Sequence, residues 1–214
     1  MKPLKDCRLY AFVDTAWLDG RSPVEVARQL AGGGADLIQL RAKDLDPDAV
    51  RPLAEGILRV TREAGVRLVI NDHVALARDV GADGVHLGQE DFFDAGHTRV
   101  EALRPPGAWM EFGLSSHAPD QAGRAVEAGA DYVAVGPVHA TPTKPGRPPA
   151  TLDYVRWAAA HLAIPWFAIG GITLDNLDAV LSAGASRVCV VSAILKHPDP
   201  AAACREFRRR MGAI

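Results

Sequence analysis

Asn71 to Asp91 reads NDHVALARDVGADGVHLGQED and follows the apolar run Arg67-Leu-Val-Ile70. Inside it lies a second apolar run, Gly84-Val-His-Leu87. Between the two runs a short helical pattern, Val74 to Asp79, is closed by Gly81. The stretch therefore reads strand, Asp72, helix, strand, Asp91. If the two strands are parallel neighbours, both carboxylates emerge at one end of the sheet. Two hard oxygen ligands at one mouth suit Mg²⁺, which takes one or two protein carboxylates and leaves its other positions to water and substrate phosphate. The plainer alternative is that each Asp caps the helix that follows its strand.

The punctuation of this stretch recurs along the chain. A helical segment ends in Gly, a small or acidic residue follows, and a short β-rich run begins. It stands at Gly34-Ala-Asp-Leu-Ile-Gln, Gly65-Val-Arg-Leu-Val-Ile, Gly81-Ala-Asp-Gly-Val-His, Gly129-Ala-Asp-Tyr-Val-Ala and Gly184-Ala-Ser-Arg-Val-Cys. Glycine ends a helix in a left-handed conformation that costs other residues more. The β-branched run then enters the core as a strand.

Reading outward, the pattern predicts strands at Arg8–Val13, Leu37–Leu40, Arg67–Ile70, Gly84–Leu87, Met110–Leu114, Tyr132–Val135, Trp166–Ile169 and Arg187–Val191. Helices are predicted at Pro23–Ala31, Pro47–Ala64, Val74–Val80, Thr98–Leu103, Pro119–Ala128, Leu152–His161, Leu174–Ala183 and Pro200–Met211. Ser22, Asp46 and Thr173 stand where N-caps belong. The strands are almost wholly apolar, as when both faces of a parallel sheet are buried. Eight βα units in 214 residues predict an α/β fold of the (β/α)₈ TIM-barrel type, one domain over residues 1–214. A doubly wound open sheet is the alternative. The turn after the first strand, Asp14-Thr-Ala-Trp-Leu-Asp-Gly20, lacks the GxGxxG that usually marks it.

Composition bounds the function. Lys and Arg number 24 against 26 Asp and Glu. That balance excludes a strongly basic nucleic-acid surface but not a local phosphate site. Cys7, Cys189 and Cys204 show neither a disulfide framework nor zinc spacing. The N-terminus MKPLKDCRLY lacks an apolar signal region, and no apolar run approaches a membrane span. These features predict a reduced, cytoplasmic protein with no nucleic-acid or membrane partner. Homo-oligomerisation is left open.

In a (β/α)₈ barrel the active site forms at the C-terminal strand ends. After strand two come Gln39, Arg41 and Lys43, which alternation puts on one side of an extended segment. Arg as a fork and Lys as a point charge there could grip a phosphorylated ligand. A solvated loop with Arg41 paired to Asp44 is the alternative. Asn71 and Asp72 follow strand three, and Gly88-Gln-Glu-Asp91 follows strand four. His86, inside strand four, reads as a packed barrel residue without assigned chemistry. Ser115-Ser116-His117 after strand five has no GxSxG elbow, so Ser115 is read as a hydrogen-bond donor to ligand and His117 as orienting the loop. Thr141, Thr143 and Lys144 lie on a Pro-rich loop after strand six. Gly170-Gly171 after strand seven and Val191-Ser192 after strand eight occupy the recurrent phosphate position of this fold. Two carboxylates, three cations and a separate backbone phosphate cradle describe two phosphorylated ligands, one of them a metal-bound diphosphate. No side chain stands out as nucleophile or general base.

The motifs IQLRAKD, VINDHVALA, GADGVHLGQED, GLSSH, ADYVAVGPVHATPTK, AIGGIT and VVSAI, from Tyr10 to about Ile194, resemble the thiamine-phosphate synthase family in its own order. The resemblance implies a transferase of thiamine biosynthesis. It would join a hydroxymethylpyrimidine diphosphate to a hydroxyethylthiazole phosphate, or its carboxylated form, giving thiamine phosphate and pyrophosphate. It further implies a dissociative route through a pyrimidine methylene cation. Carried over by position, Asp72 and Asp91 would bind Mg²⁺. Gln39, Arg41, Lys43, Asn71, Ser115 and Lys144 would hold the pyrimidine diphosphate, with Arg41, Lys43, Lys144 and Ser115 acting in catalysis. Thr141, Thr143, Gly171, Val191 and Ser192 would hold the thiazole phosphate. His139-Ala140 departs from the family, where many members carry an apolar or aromatic residue and then Pro.

Three other readings compete. A thiazole tautomerase on a related barrel would need the phosphate cradle and a proton-transferring His, but not the set Arg41, Lys43, Asp72, Asp91 and Lys144. A non-catalytic phosphate-ligand protein could share the fold. A phosphosugar isomerase should show a carboxylate base facing a proton-abstraction site, and no clear candidate is present.

Overall fold

The structure, a computed structural model, describes residues 1–104, 107, 110–141 and 150–212. Its strands are β1 (Leu9–Asp14), β2 (Leu37–Arg41), β3 (Arg67–Asn71), β4 (Gly84–Leu87), β5 (Glu111–Ser116), β6 (Tyr132–Val135), β7 (Trp166–Ile169) and β8 (Val188–Val190). Each pairs in parallel with the next and β8 returns to β1, so the sheet closes as a barrel in chain order. The expected (β/α)₈ architecture is the observed one. Helices α1 (Pro23–Gly32), α2 (Pro47–Ala64), α3 (Val74–Val80), α4 (Pro119–Glu127), α5 (Thr151–His161), α6 (Leu174–Ser182), α7 (Ser192–Leu195) and α8 (Pro200–Arg210) accompany it.

Alternation along each strand separates two cores. Leu9, Ala11 and Val13 of β1 join Ile38, Leu40, Leu68, Ile70, Val85 and the helix faces in the outer layer. Tyr10, Phe12, Leu37, Val69, Tyr132, Phe167 and Cys189 form a second cluster that fills the barrel. Because side chains alternate with period two, the interior parity continues upward to Asp14 above Phe12, Arg41 above Gln39, and Asn71 above Val69. The polar residues at the mouth are thus the top layer of the same inward-facing rows.

The repeated Gly-Ala-Asp signature has a specific structural use. Its glycines end helices in left-handed geometry, with φ of +91° at Gly34, +73° at Gly81 and +87° at Gly129. The Asp two residues later reaches back to the preceding strand. Asp36 accepts from Arg8 N at 2.7 Å and Leu9 N at 3.0 Å, Asp83 from Leu68 N at 2.8 Å, and Asp131 from Phe112 N at 2.7 Å. A carboxylate thus satisfies an N–H within the first two residues of the neighbouring strand: Leu9 opens β1, and Leu68 and Phe112 are the second residues of β3 and β5. Charge-assisted bonds of this kind are the stronger class. Asp36 also binds Arg208 of α8 at 2.6 Å and Lys2 at 2.9 Å, tying the chain's two ends to β1.

One expected helix is absent. The pattern over Thr98–Leu103 predicts a helix, yet only Val100–Leu103 forms a 3₁₀ turn. The segment is too short to repay helix nucleation, and Pro105 pushes the residue before it away from helical geometry. Arg104 is indeed extended, with φ −66° and ψ +136°. The chain after β4 instead makes a π-helical turn over Glu90–Asp94, which carries Asp91. Such turns recur at functional sites. Among the described residues no helix is long and apolar enough to cross a membrane.

Candidate active site

The charged half of the mouth is built from β1 to β4. Asp14 and Arg41 are paired in the parallel register of β1 and β2. Arg41 donates to Asp14 Oδ2 at 2.9 Å, and the Asp14 side chain is 1% exposed. Arg41 is therefore paired with Asp14 and not with Asp44, the partner in the alternative loop reading; Asp44 takes the Thr15 hydroxyl instead. Burial raises the Asp14 pKa, and the Arg41 charge opposes that shift.

Lys43 reaches across to Asp72, with Nζ 2.9 Å from Oδ2, and Asn71 Nδ2 donates to the same oxygen at 2.6 Å. Asp72 holds φ at +64°, a left-handed conformation that Asp tolerates better than most residues. Its backbone N–H is anchored on His86 O at 2.9 Å, so β4 fixes where the residue sits. Burial raises the Asp72 pKa, Lys43 lowers it, and the nearby Asp91 carboxylate raises it again. Asp91 folds back over Gly88, where a Cβ would meet its Oδ2 at 2.7 Å. The two carboxylates expected to share a mouth are therefore brought together. Two carboxylates with open positions for water and phosphate are a donor set that fits Mg²⁺. No group of three or more His, Cys, Asp or Glu side chains that could hold a metal gathers among the described residues.

The floor of this half is polar but sealed. Gln39 Nε2 donates to Tyr10 Oη at 2.6 Å, and His86 Nε2 lies 3.0 Å from Ser115 Oγ. Gln89 Nε2 donates to Ser115 O at 2.5 Å. His117 donates from Nδ1 to Gly136 O at 2.5 Å, and its backbone N–H donates to Gln121 Oε1 at 2.8 Å, joining the chain after β5 to that after β6.

The other half is an apolar cleft over β5 to β8. Ser115, Gly136, Thr141, Ile169, Gly171, Cys189, Val191 and Ser192 are among the residues that line it. The glycines let two loops close on each other. A Cβ on Gly136 would meet Ile169 O at 2.0 Å, and one on Gly171 would meet Ala140 O at 2.6 Å. Val138 N and His139 N bond to Ile169 O and Gly170 O at 2.8 and 3.0 Å, extending the β6–β7 contact into the loops. Asn176 fixes the turn into α6, accepting from Thr173 N at 2.9 Å and donating to Gly171 O at 2.8 Å.

Of the residues singled out from sequence, Arg41, Lys43, Asn71, Asp72, Asp91, Ser115, Thr141, Gly171, Val191 and Ser192 stand at the C-terminal end of the barrel, whereas Gln39 lies in the middle of β2, buried beneath the mouth and bonded to Tyr10. Thr143 and Lys144 lie outside the described residues. Asp14, Tyr10, Tyr132 and Gln89 were missed. Asp14 carried a signal, since it ends β1 as the others end their strands.

A family model described as thiamine monophosphate synthase matches residues 9–194. A thiamine-phosphate synthase of Thermus thermophilus is 53% identical over 188 residues, 87% of each chain. One of Acidothermus cellulolyticus is 44% identical over 212 residues, covering 98% of this chain and 97% of the relative. Among solved structures, a thiamine phosphate pyrophosphorylase of Pyrococcus furiosus superposes with a TM-score of 0.84 at 29% identity, covering 98% of this chain and 97% of that one.

Proposed function

The chain belongs to the thiamine monophosphate synthase family and is a transferase of thiamine biosynthesis, and from that premise we propose how its residues divide the reaction. The substrates are a hydroxymethylpyrimidine diphosphate and a hydroxyethylthiazole phosphate or its carboxylated form. The catalyst is one (β/α)₈ domain working in the cytoplasm. The pyrimidine diphosphate lies in the charged half of the mouth, and the thiazole phosphate in the apolar cleft.

One observation carries the division. The named side chains of the charged half are two cations, Arg41 and Lys43, and three carboxylates, Asp14, Asp72 and Asp91, so their sum is 2 − 3 = −1. A diphosphate would be repelled there unless further positive charge entered. Lys144 adds one, and Mg²⁺ held by Asp72 and Asp91 adds two. When bound, Mg²⁺ supplies neutralisation of the diphosphate charge that builds as the leaving group departs.

The chain's own groups do the rest. Arg41, Lys43 and Lys144 stabilise the charge that develops on the diphosphate as the C–O bond to the pyrimidine methylene breaks and its electron pair leaves with oxygen. Gln39, Asn71 and Ser115 orient the same substrate. The thiazole nitrogen then donates its lone pair to the methylene cation, forming the C–N bond. Thr141, Thr143, Gly171, Val191 and Ser192 hold the thiazole phosphate so that this nitrogen faces the cation. The apolar lining excludes water, which would otherwise capture it.

Asp72→Ala and Asp91→Ala test the assignment. Each is expected to lower kcat by on the order of a hundredfold or more, with the unfolding transition retained. Near-normal rates in Mg²⁺ would remove both residues from the site.

A further inference from the structure

Five side chains cross the barrel beneath the mouth in one hydrogen-bonded row. Gln39 Nε2 lies 2.6 Å from Tyr10 Oη, which lies 2.9 Å from Tyr132 Oη. Tyr132 Oη lies 3.2 Å from His86 Nδ1, and His86 Nε2 lies 3.0 Å from Ser115 Oγ. None of the five is more than 8% exposed. The fold makes room for the row, because a Cβ on Gly113, the register neighbour of Tyr132, would meet the Tyr132 ring at 2.0 Å. His86 stacks on that ring at 5.6 Å and 28°.

Counting hydrogens gives the row a direction. A tyrosine hydroxyl has one hydrogen to donate, and a neutral imidazole donates from one nitrogen and accepts at the other. Gln39 already donates to Tyr10. The Tyr10 hydrogen must then go to Tyr132, or a buried hydroxyl is stranded, which is the costly outcome. The Tyr132 hydrogen passes to His86 Nδ1. His86 therefore carries its hydrogen on Nε2 and donates it to Ser115 Oγ. The Ser115 hydrogen is left for whatever occupies the mouth. Run in the opposite direction with Gln39 Nε2 kept on Tyr10, Gln39 and Tyr132 would both donate to Tyr10, whose own hydrogen would have no acceptor in the row; the reversed row closes only when the Gln39 amide turns its oxygen to Tyr10. Burial pushes both tyrosine hydroxyls above their ordinary range, so each keeps its hydrogen.

We propose that Tyr132, backed by Tyr10, is a positioning residue that fixes His86 in the Nε2–H form and so turns the Ser115 hydroxyl into a donor toward an anionic ligand. The opposite form would present Ser115 lone pairs to that ligand, and an anion offers no hydrogen to meet them. The kinetic part rests on reading Ser115 as part of the pyrimidine diphosphate grip; the tautomer does not.

The test starts with long-range proton–nitrogen correlation spectra of ¹⁵N-labelled, substrate-free protein, with His86 assigned from its absence in His86→Gln. The Nε2–H form is expected, and a dominant Nδ1–H form would overturn the proposal whatever the enzyme's substrates are. In Tyr132→Phe, which keeps the ring and drops one oxygen, the spectrum is expected to move to a mixture of tautomers. The same variant should lose about tenfold in kcat/KM for the pyrimidine diphosphate, the scale of one hydrogen bond to a charged group, with the KM for thiazole phosphate unchanged. Combined with Ser115→Ala, Tyr132→Phe should cost little more, because both remove one interaction. Full additivity, or an unchanged tautomer in Tyr132→Phe, would refute the link between Tyr132 and Ser115.

Discussion

Replacing Gly171 by Ala should separate the two halves of the mouth. Gly171 has φ +62°, and a Cβ there would lie 2.6 Å from Ala140 O and 2.8 Å from His139 Cβ. Holding a non-glycine residue left-handed costs about 1–2 kcal/mol. Ordinary contact begins at 3.4 Å, so Ala140 O must retreat by 3.4 − 2.6 = 0.8 Å. Overpacking of that kind costs about 1–3 kcal/mol, bringing the total to about 2–5 kcal/mol. Ala140 directly precedes Thr141, which lines the apolar cleft. The displacement should therefore raise the KM for thiazole phosphate by about tenfold, equivalent to one lost contact of ~1.4 kcal/mol, and leave the pyrimidine diphosphate KM near its wild-type value. Gly20→Ala is the control. Its φ is +80° but nothing lies within 4 Å, so it carries strain without a clash. Urea unfolding and two-substrate kinetics on both variants decide the matter. A stability loss in Gly171→Ala no larger than in Gly20→Ala, or an unchanged KM for thiazole phosphate, would refute the reasoning.

Three more outcomes can be checked directly. At the barrel floor, burial raises the Glu111 pKa from 4.5 to about 7 against the opposing charge of Arg67, and its Oε2 has no hydrogen-bond partner among the described residues. A raised folded-state pKa stabilises fully below the unfolded value and loses that stability as pH rises through the folded one. Wild type should thus lose about 3 kcal/mol from this group between about pH 4.5 and 7, and Glu111→Gln should flatten the profile; parallel urea-unfolding profiles would contradict this. Asp14→Asn cannot keep both the Arg41 bond at 2.9 Å and the Ala16 N bond at 3.2 Å, because an amide has one acceptor oxygen. It should raise the KM for the pyrimidine diphosphate by about tenfold, and an effect confined to the thiazole substrate would count against the Asp14–Arg41 link. The three thiols are buried and their pKa values raised, to about 11 at Cys7 and about 12 at Cys204. At neutral pH a thiol reagent should label them only after unfolding, and prompt labelling of native protein would disprove that.

What the sequence revealed depended on how local its cause was. The glycine that ends a helix and the Asp two residues later act within one βα unit, so Gly34-Ala-Asp36 and its repeats located the strands. The helix expected over Thr98–Leu103 fails for a local reason too, since a proline at position 105 disfavours helical geometry at Arg104. Asp14 and Arg41 are different. They are 27 residues apart and meet because β1 and β2 pair in register. Their contact becomes legible only once strand pairing is known, and before that Asp44 is the nearer partner. The row through Tyr10 and Tyr132 needs closure of the whole barrel, for those hydroxyls meet across 122 residues. No period or motif announces them, and His86 alone looked like packing. Thr143 and Lys144 were named from sequence and lie outside the described residues, so their roles stand on the family resemblance.

The central claim is that this mouth joins two phosphorylated substrates with release of diphosphate in a metal-dependent step. The direct measurement is pyrophosphate release by the purified protein, given each substrate alone and both together, in Mg²⁺ and then in EDTA. Release only with both substrates and Mg²⁺, matched by thiamine phosphate, is the predicted result. Release that persists in EDTA would contradict the metal role of Asp72 and Asp91. Thiazole phosphate binding without any release would contradict the reaction itself.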